Sequence, residues 1–231
     1  GHWIMPGRIV NVLLACCLTG ISTMASAGVV IGGTRVVYSS DKSDATITVK
    51  NNEAAIPYLI QTWVDPFSNT GTAKKPPFTV IPPVSRLEAG QEKILRIMKT
   101  EGNLPQDRES VFWLNIKNIP PASNKPNAME IAIKTRIKLI WRPASLNITP
   151  ERAATQVKWH RENRQLVVEN PTPLNINVMN VTVDGKDVPL NIVHPFETLR
   201  LPLPEGVNGH ALVWRYVNDF GAISQDLKAA L

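Results

Sequence analysis

The stretch Met129-Glu-Ile-Ala-Ile-Lys-Thr-Arg-Ile-Lys-Leu139 alternates without a break. Met129, Ile131, Ile133, Thr135, Ile137 and Leu139 fall on one face by the two-residue period of a strand, and Glu130, Ala132, Lys134, Arg136 and Lys138 on the other. Eleven residues at about 3.4 Å each span roughly 35 Å, about twice an ordinary strand. A small sandwich rarely needs a strand so long. Its first half is therefore expected to run past the core with Met129, Ile131 and Ile133 uncovered. The preceding residues 120–127, rich in Pro, Ser, Asn and Lys, read as a loop. Two readings are open. The stretch is a long core strand with its apolar face buried, or it is a strand offered to another protein, where main-chain hydrogen bonds give affinity and alternate side chains fill pockets. Proteins normally blunt an uncovered apolar edge because it invites aggregation, so keeping one argues for a partner.

Working outward, the whole chain after Gly28 punctuates like an all-β protein. Runs of Val, Ile, Thr and Trp alternate with Pro, Gly and Asn clusters. Strands are expected at 29–38, 45–50, 58–64, 78–81, 93–98, 110–119 and 129–140, the count and spacing of an immunoglobulin-like sandwich. A second set is expected at 157–160, 165–169, 176–183, 188–192, 198–201, 211–217 and 222–227. Between them lie Arg142-Pro143-Ala144 and then 147–150, ending in Pro150, a natural hinge because proline removes a ladder donor. This gives two β-sandwiches, 28–145 and 146–231, with no helix-period segment of ten or more residues.

Residues 1–27 read differently. Met5-Pro-Gly-Arg8 is a short basic start, residues 9–21 are mostly apolar, and Ala25-Ser26-Ala27 offers small residues to a signal peptidase. That pattern predicts a Sec-type secretory signal cleaved after Ala27, and the run is too short for stable membrane insertion. Leu13-Leu14-Ala15-Cys16 is a rival signal, a lipobox that would acylate Cys16. Both cysteines, Cys16 and Cys17, lie in this segment. The exported domains must then stand without disulfides, thiolate metal sites or a cysteine nucleophile. The whole chain carries a formal charge of +6, and Arg8 is the only charged residue of 1–27, which leaves +5. The basic residues are dispersed with no cluster of five, which disfavours nucleic acid. His160, His194 and His210 form no HxxxH or HxH pair and read as solvated strand-end residues. Neither Gly-x-Ser-x-Gly nor a phosphate loop is present. No catalytic, metal or cofactor role is expected. Trp63, Trp113, Trp141 and Trp214 lie in strand patterns and read as core or belt packing. A fimbrial subunit or adhesin is the alternative structural reading. The missing cysteines and the second domain count against it.

Leu104-Pro-Gln-Asp-Arg-Glu-Ser-Val-Phe-Trp-Leu-Asn-Ile-Lys-Asn-Ile-Pro-Pro121 resembles the signature of the PapD-like periplasmic pilus chaperones. Gly32-Gly-Thr-Arg-Val-Val-Tyr38, Pro57-Tyr-Leu-Ile-Gln-Thr-Trp63, Ile81-Pro-Pro83, Thr135-Arg-Ile-Lys-Leu-Ile-Trp-Arg-Pro143, Asn170-Pro-Thr-Pro173 and Asn218-Asp-Phe-Gly-Ala222 extend the resemblance over nearly all of 28–231. It implies two immunoglobulin-like domains set at an angle. It also implies a function: capturing pilus subunits that lack their last strand, folding and capping them with a donated strand, and delivering them to an outer-membrane usher. Carried onto this sequence, the donor strand presents Met129, Ile131, Ile133, Thr135 and Ile137. Arg35 and Lys138 grip the subunit's C-terminal carboxylate, and Glu109, Arg142 and Asp219 form an ion cluster between the domains. The short segment before Met129 fits the short-loop subclass. The resemblance further implies a periplasmic location, and without a subunit the donor strand could be capped by a second copy of the chain.

Overall fold

A computed structural model of the protein describes residues 28–68, 74–123 and 130–231. The expected signal, the lipobox at Cys16 and the donor residue Met129 lie outside the described residues.

The first domain contains nine strands among the described residues. They are β1 (Val29–Ile31), β2 (Arg35–Ser39), β3 (Ala45–Asn51), β4 (Tyr58–Pro66), β5 (Phe78–Ile81), β6 (Val84–Leu87), β7 (Glu92–Lys99), β8 (Ser110–Ile119) and β9 (Ile133–Arg142). One sheet runs β1-β3-β7-β5 and the other β2-β9-β8-β4-β6. Period-two alternation drives the closure: Ile47 and Val49 of β3, Leu95 and Ile97 of β7, Leu114 and Ile116 of β8 and Leu139 of β9 turn inward and are buried. Tyr38, Phe78 and Trp141 fill one end of this core, Tyr38 lying 5.0 Å from Trp141 and 5.9 Å from Phe78 between ring centroids. Each such buried apolar side chain contributes about 1.5–3 kcal/mol.

Two expectations for this domain need correction. Residues 29–38 are not one strand. Gly32 donates its N–H to the carbonyl of Thr48, and a Cβ at Gly32 would lie 2.1 Å from Thr48 Oγ1. Only glycine allows that approach. The chain breaks there and changes sheets: β1 pairs antiparallel with β3, and β2 pairs parallel with β9. The strand β6 is an addition to the expected set; its alternation is only four residues long.

The second domain opens with a short helix that follows directly on the expected hinge. Thr149 caps α1 (Pro150–Gln156), its side chain accepting from the Arg152 N–H at 3.2 Å, and Pro150 takes the first turn. Ala153 and Ala154 bury one face. The preceding linker is tied down: the Ala144 N–H donates to Ser40 Oγ at 2.7 Å. Eight strands follow: β10 (Lys158–Glu162), β11 (Gln165–Glu169), β12 (Ile176–Val183), β13 (Lys186–Val188), β14 (Ile192–Val193), β15 (Thr198–Pro202), β16 (Ala211–Tyr216) and β17 (Leu227–Ala230). They form the sheets β10-β11-β15 and β13-β12-β16-β17, with β14 on the flank of β12. Leu166, Val168, Val181, Val183, Leu212 and Trp214 are buried between them. The expected strand at 188–192 is a gap between β13 and β14. The strand expected at 222–227 begins only at Leu227, because residues 218–222 close a turn: Asn218 Oδ1 accepts from the N–H groups of Phe220 and Ala222. Among the described residues no helix is long and apolar enough to cross a membrane.

Candidate functional site

The strand that decides the sequence reading is β9. Its expected span of 129–140 is corrected to Ile133–Arg142, and Glu130 to Ala132 are exposed and irregular. The cause is the end of its neighbour: β8 stops at Ile119, and the last pair of the ladder is Asn118 with Ile133. Along the apolar face burial changes steeply. Ile131 is 63% exposed and Ile133 51%, Thr135 is half-buried, Ile137 is 7% exposed and Leu139 fully covered. On its other edge β9 is paired by β2 only from Lys138 to Arg142. Residues 133–137 therefore present an unpaired edge among the described residues. A groove of about 490 Å³ lies beside it, lined by Val29, Val30, Ile31, Gly33, Thr34 and 135–137.

Where that edge ends, two cations sit side by side. The parallel register sets Arg35 opposite Lys138. Val36 and Tyr38 turn into the core, so Arg35 points outward from β2. Its Nε and Nη1 are buried with no hydrogen-bond partner. Lys138 Nζ donates to Asn177 Oδ1 of β12 at 3.0 Å, a bond between the domains. Burial lowers the Arg35 pKa, partly offset by the charge of Asp219. Burial, with the Arg35 charge second, brings Lys138 down to about 8. Two half-buried cations with spare donors constitute a site for an anion that accepts from both.

The third group ties the domains. Arg142 ends β9 and donates through Nε to Glu109 Oε2 at 2.6 Å, through Nη1 to Asp219 Oδ2 at 2.7 Å and through Nη2 to Asp219 Oδ1 at 2.8 Å. Glu109 is 4% exposed; its Oε1 also accepts from the Asn175 N–H at 2.8 Å, and its own N–H donates to the Pro173 carbonyl. Burial raises the Glu109 pKa against the pull of Arg142. Burial lowers that of Arg142, but its two carboxylate partners outweigh the effect and raise it. Nothing in the sequence marks Asn175, Asn177 or Phe67. His194 is not the solvated strand end its sequence suggests: its Nδ1 lies 2.8 Å from Asn175 Oδ1, and its ring packs edge-on to Phe67. Of the tryptophans read as packing, Trp141 and Trp214 are core, whereas Trp63 and Trp113 are only part-buried, with Lys134 and Arg136 over their rings.

Residues 28–147 match the family model described as the pili and flagellar-assembly chaperone, PapD N-terminal domain, and 152–228 the pili assembly chaperone PapD, C-terminal domain. The chain belongs to the PapD-like pilus-assembly chaperone family. Among PapD-like proteins, chaperone protein FocC of Escherichia coli is 35% identical over 209 residues, covering 89% of this chain and 91% of that protein. Chaperone protein FimC of Escherichia coli strain K12 is 34% identical, covering 98% and 100%. The solved structure of the Salmonella enterica SafA pilin in complex with the SafB chaperone matches with a TM-score of 0.79 at 38% identity, covering 88% of this chain and 96% of that one. The Escherichia coli chaperone DraB matches at 0.77 and 36%, covering 88% and 96%. PapD-like membership and the two strand-built cores agree on the fold class, a pair of immunoglobulin-like β-sandwiches.

Proposed function

We propose that this PapD-like chain captures pilus subunits by lending them β9 as a missing strand. The observation that carries the reading is the unpaired edge at 133–137, which joins exposed Ile131 and Ile133 to the Arg35–Lys138 pair. A subunit's terminal carboxylate accepts from both cations, each charge-assisted bond contributing about 1.5–3 kcal/mol. This anchor sets the register by which Ile131, Ile133 and, beyond the described residues, Met129 enter the subunit's groove. Ile137 and Thr135 continue the same face toward the chaperone's own core. The relative SafB is solved with a pilin, which supports a subunit as the partner. Export to the periplasm after cleavage at Ala27, transfer to an outer-membrane usher, self-capping by a second copy, membership of the short-loop subclass and domain limits at 28–145 and 146–231 belong to the same reading. So does a role by binding and subunit folding alone, without cofactor or catalysis.

The test is co-expression with the cognate subunit, followed by purification on a tag carried by the chaperone. Wild type retains the subunit. Ile131→Asp with Ile133→Asp, and separately Lys138→Ala, lose it while the free proteins stay folded and melt no lower than wild type. Normal retention by either variant refutes the mechanism.

A further inference from the structure

Lys138 has one hydrogen-bond partner among the described residues, and that partner comes from the other domain. The ammonium can only donate, so the atom of Asn177 facing it must be the amide oxygen. The Nδ2 of Asn177 is then directed elsewhere, and it makes no hydrogen bond among the described residues. Asn177 is 8% exposed and cannot wander: its carbonyl accepts from the Val217 N–H at 2.8 Å, and it pairs with Ile192 of β14. A neutral amide on a fixed strand thus touches one of two neighbouring cations, while Arg35 keeps two buried donors unused.

We propose that Asn177 is a positioning residue of the carboxylate clamp: its oxygen fixes the Lys138 ammonium from the second domain, and its free Nδ2 completes the donor set that a chain-terminal carboxylate meets. This rests on the clamp described above. A chain end is then read by both domains at once, and only an approach that satisfies Arg35, Lys138 and Asn177 together is held. Neutrality matters. An aspartate at 177 would be a built-in carboxylate, pairing with Lys138 and Arg35 in place of the partner's. The other charges near the site are Asp219, which acts on Arg35, and the Glu109–Arg142 pair that Asp219 joins.

Two readouts test this on the full protein. Lysine labelled with carbon-13 reports the Lys138 titration by NMR. A synthetic peptide with the alternating apolar pattern of a terminal pilin strand, as free acid and as C-terminal amide, reports carboxylate recognition. Wild type titrates near 8. Asn177→Ala titrates lower, because the charged form loses its acceptor, and its preference for the acid narrows about tenfold, the loss of one hydrogen bond to a charged group. Asn177→Asp titrates above wild type, because the charged ammonium gains a carboxylate partner, and loses the acid preference. Titration and acid preference equal in all three proteins would refute the role of Asn177 and leave the clamp standing. A wild type that binds acid and amide equally refutes the clamp, and the role of Asn177 with it.

Discussion

Replacing Arg142 by alanine is the sharpest test of how the two domains hold each other. The change removes three donor bonds of 2.6–2.8 Å, one to Glu109 and two to Asp219. The two acids respond differently. Asp219 keeps 27% of its side chain exposed and can rehydrate, whereas Glu109 keeps 1% and cannot. Stranding a buried charge by deleting its partner costs about 3–5 kcal/mol. For a protein of this size, that lowers the melting temperature by roughly 10 °C. Acidification should shrink the deficit. Burial already raises the Glu109 pKa with Arg142 present, and removing the cation raises it further. A carboxyl group with a raised folded-state pKa favours folding most when protonated, and stability is lost as pH rises from its unfolded value through the folded one. The variant's deficit is therefore full at pH 8 and smaller at pH 5. Calorimetry across that range measures it, with the two domain transitions resolved separately because Arg142 couples them. Arg142→Met with Glu109→Gln removes both charges and should be less destabilised than Arg142→Ala alone. A loss under about 1 kcal/mol at pH 8, or a deficit that grows on acidification, refutes the reasoning.

Four further outcomes are expected. Because Lys138 titrates near 8 in the free protein, affinity for a free-acid subunit peptide falls about tenfold per pH unit above 8, whereas the amide form stays flat in the same anisotropy assay. The free protein moves the other way: a base with a depressed pKa disfavours folding while charged, so thermal stability rises between pH 8 and 10.5. Gly221→Ala costs about 1–2 kcal/mol in urea unfolding, since Gly221 has φ +80° and an added Cβ would meet Thr34 Oγ1 at 2.3 Å. Asn170→Ala costs about 3 kcal/mol, because its buried Nδ2 serves the carbonyls of Leu174, Val193 and His194 and its Oδ1 receives the Thr172 N–H and hydroxyl.

The sandwich class is legible in the sequence wherever alternation runs long enough, as in β3, β8 and the buried half of β9. It fails where a single close approach overrides the pattern. Residues 29–38 alternate well, but Gly32 against Thr48 splits them between two sheets. Thr149-Pro150 carries both signals of a helix start, yet seven residues are too few for periodicity to register. Arg35 lies opposite Lys138 only because β2 pairs parallel to β9, a relation no spacing encodes. Those two residues, and the Glu109–Arg142–Asp219 set, were reachable only through the family's motifs. Asn175 and Asn177 stayed hidden because a polar residue within an apolar run reads as an ordinary outward strand position. Their partners, Glu109 and Lys138, belong to the other domain.

The strand β9 starts in solvent and finishes in the ion cluster, and the same ten residues carry the apolar side chains, Lys138 and Arg142 in fixed sequence. With side chains facing alternate ways, adding or deleting one residue between Thr135 and Lys138 would turn either the greasy face or the basic one upside down. This short ribbon therefore works as a graduated rule clamped at one end. Its marks can be exchanged by substitution, but the distance between them is fixed in steps of two.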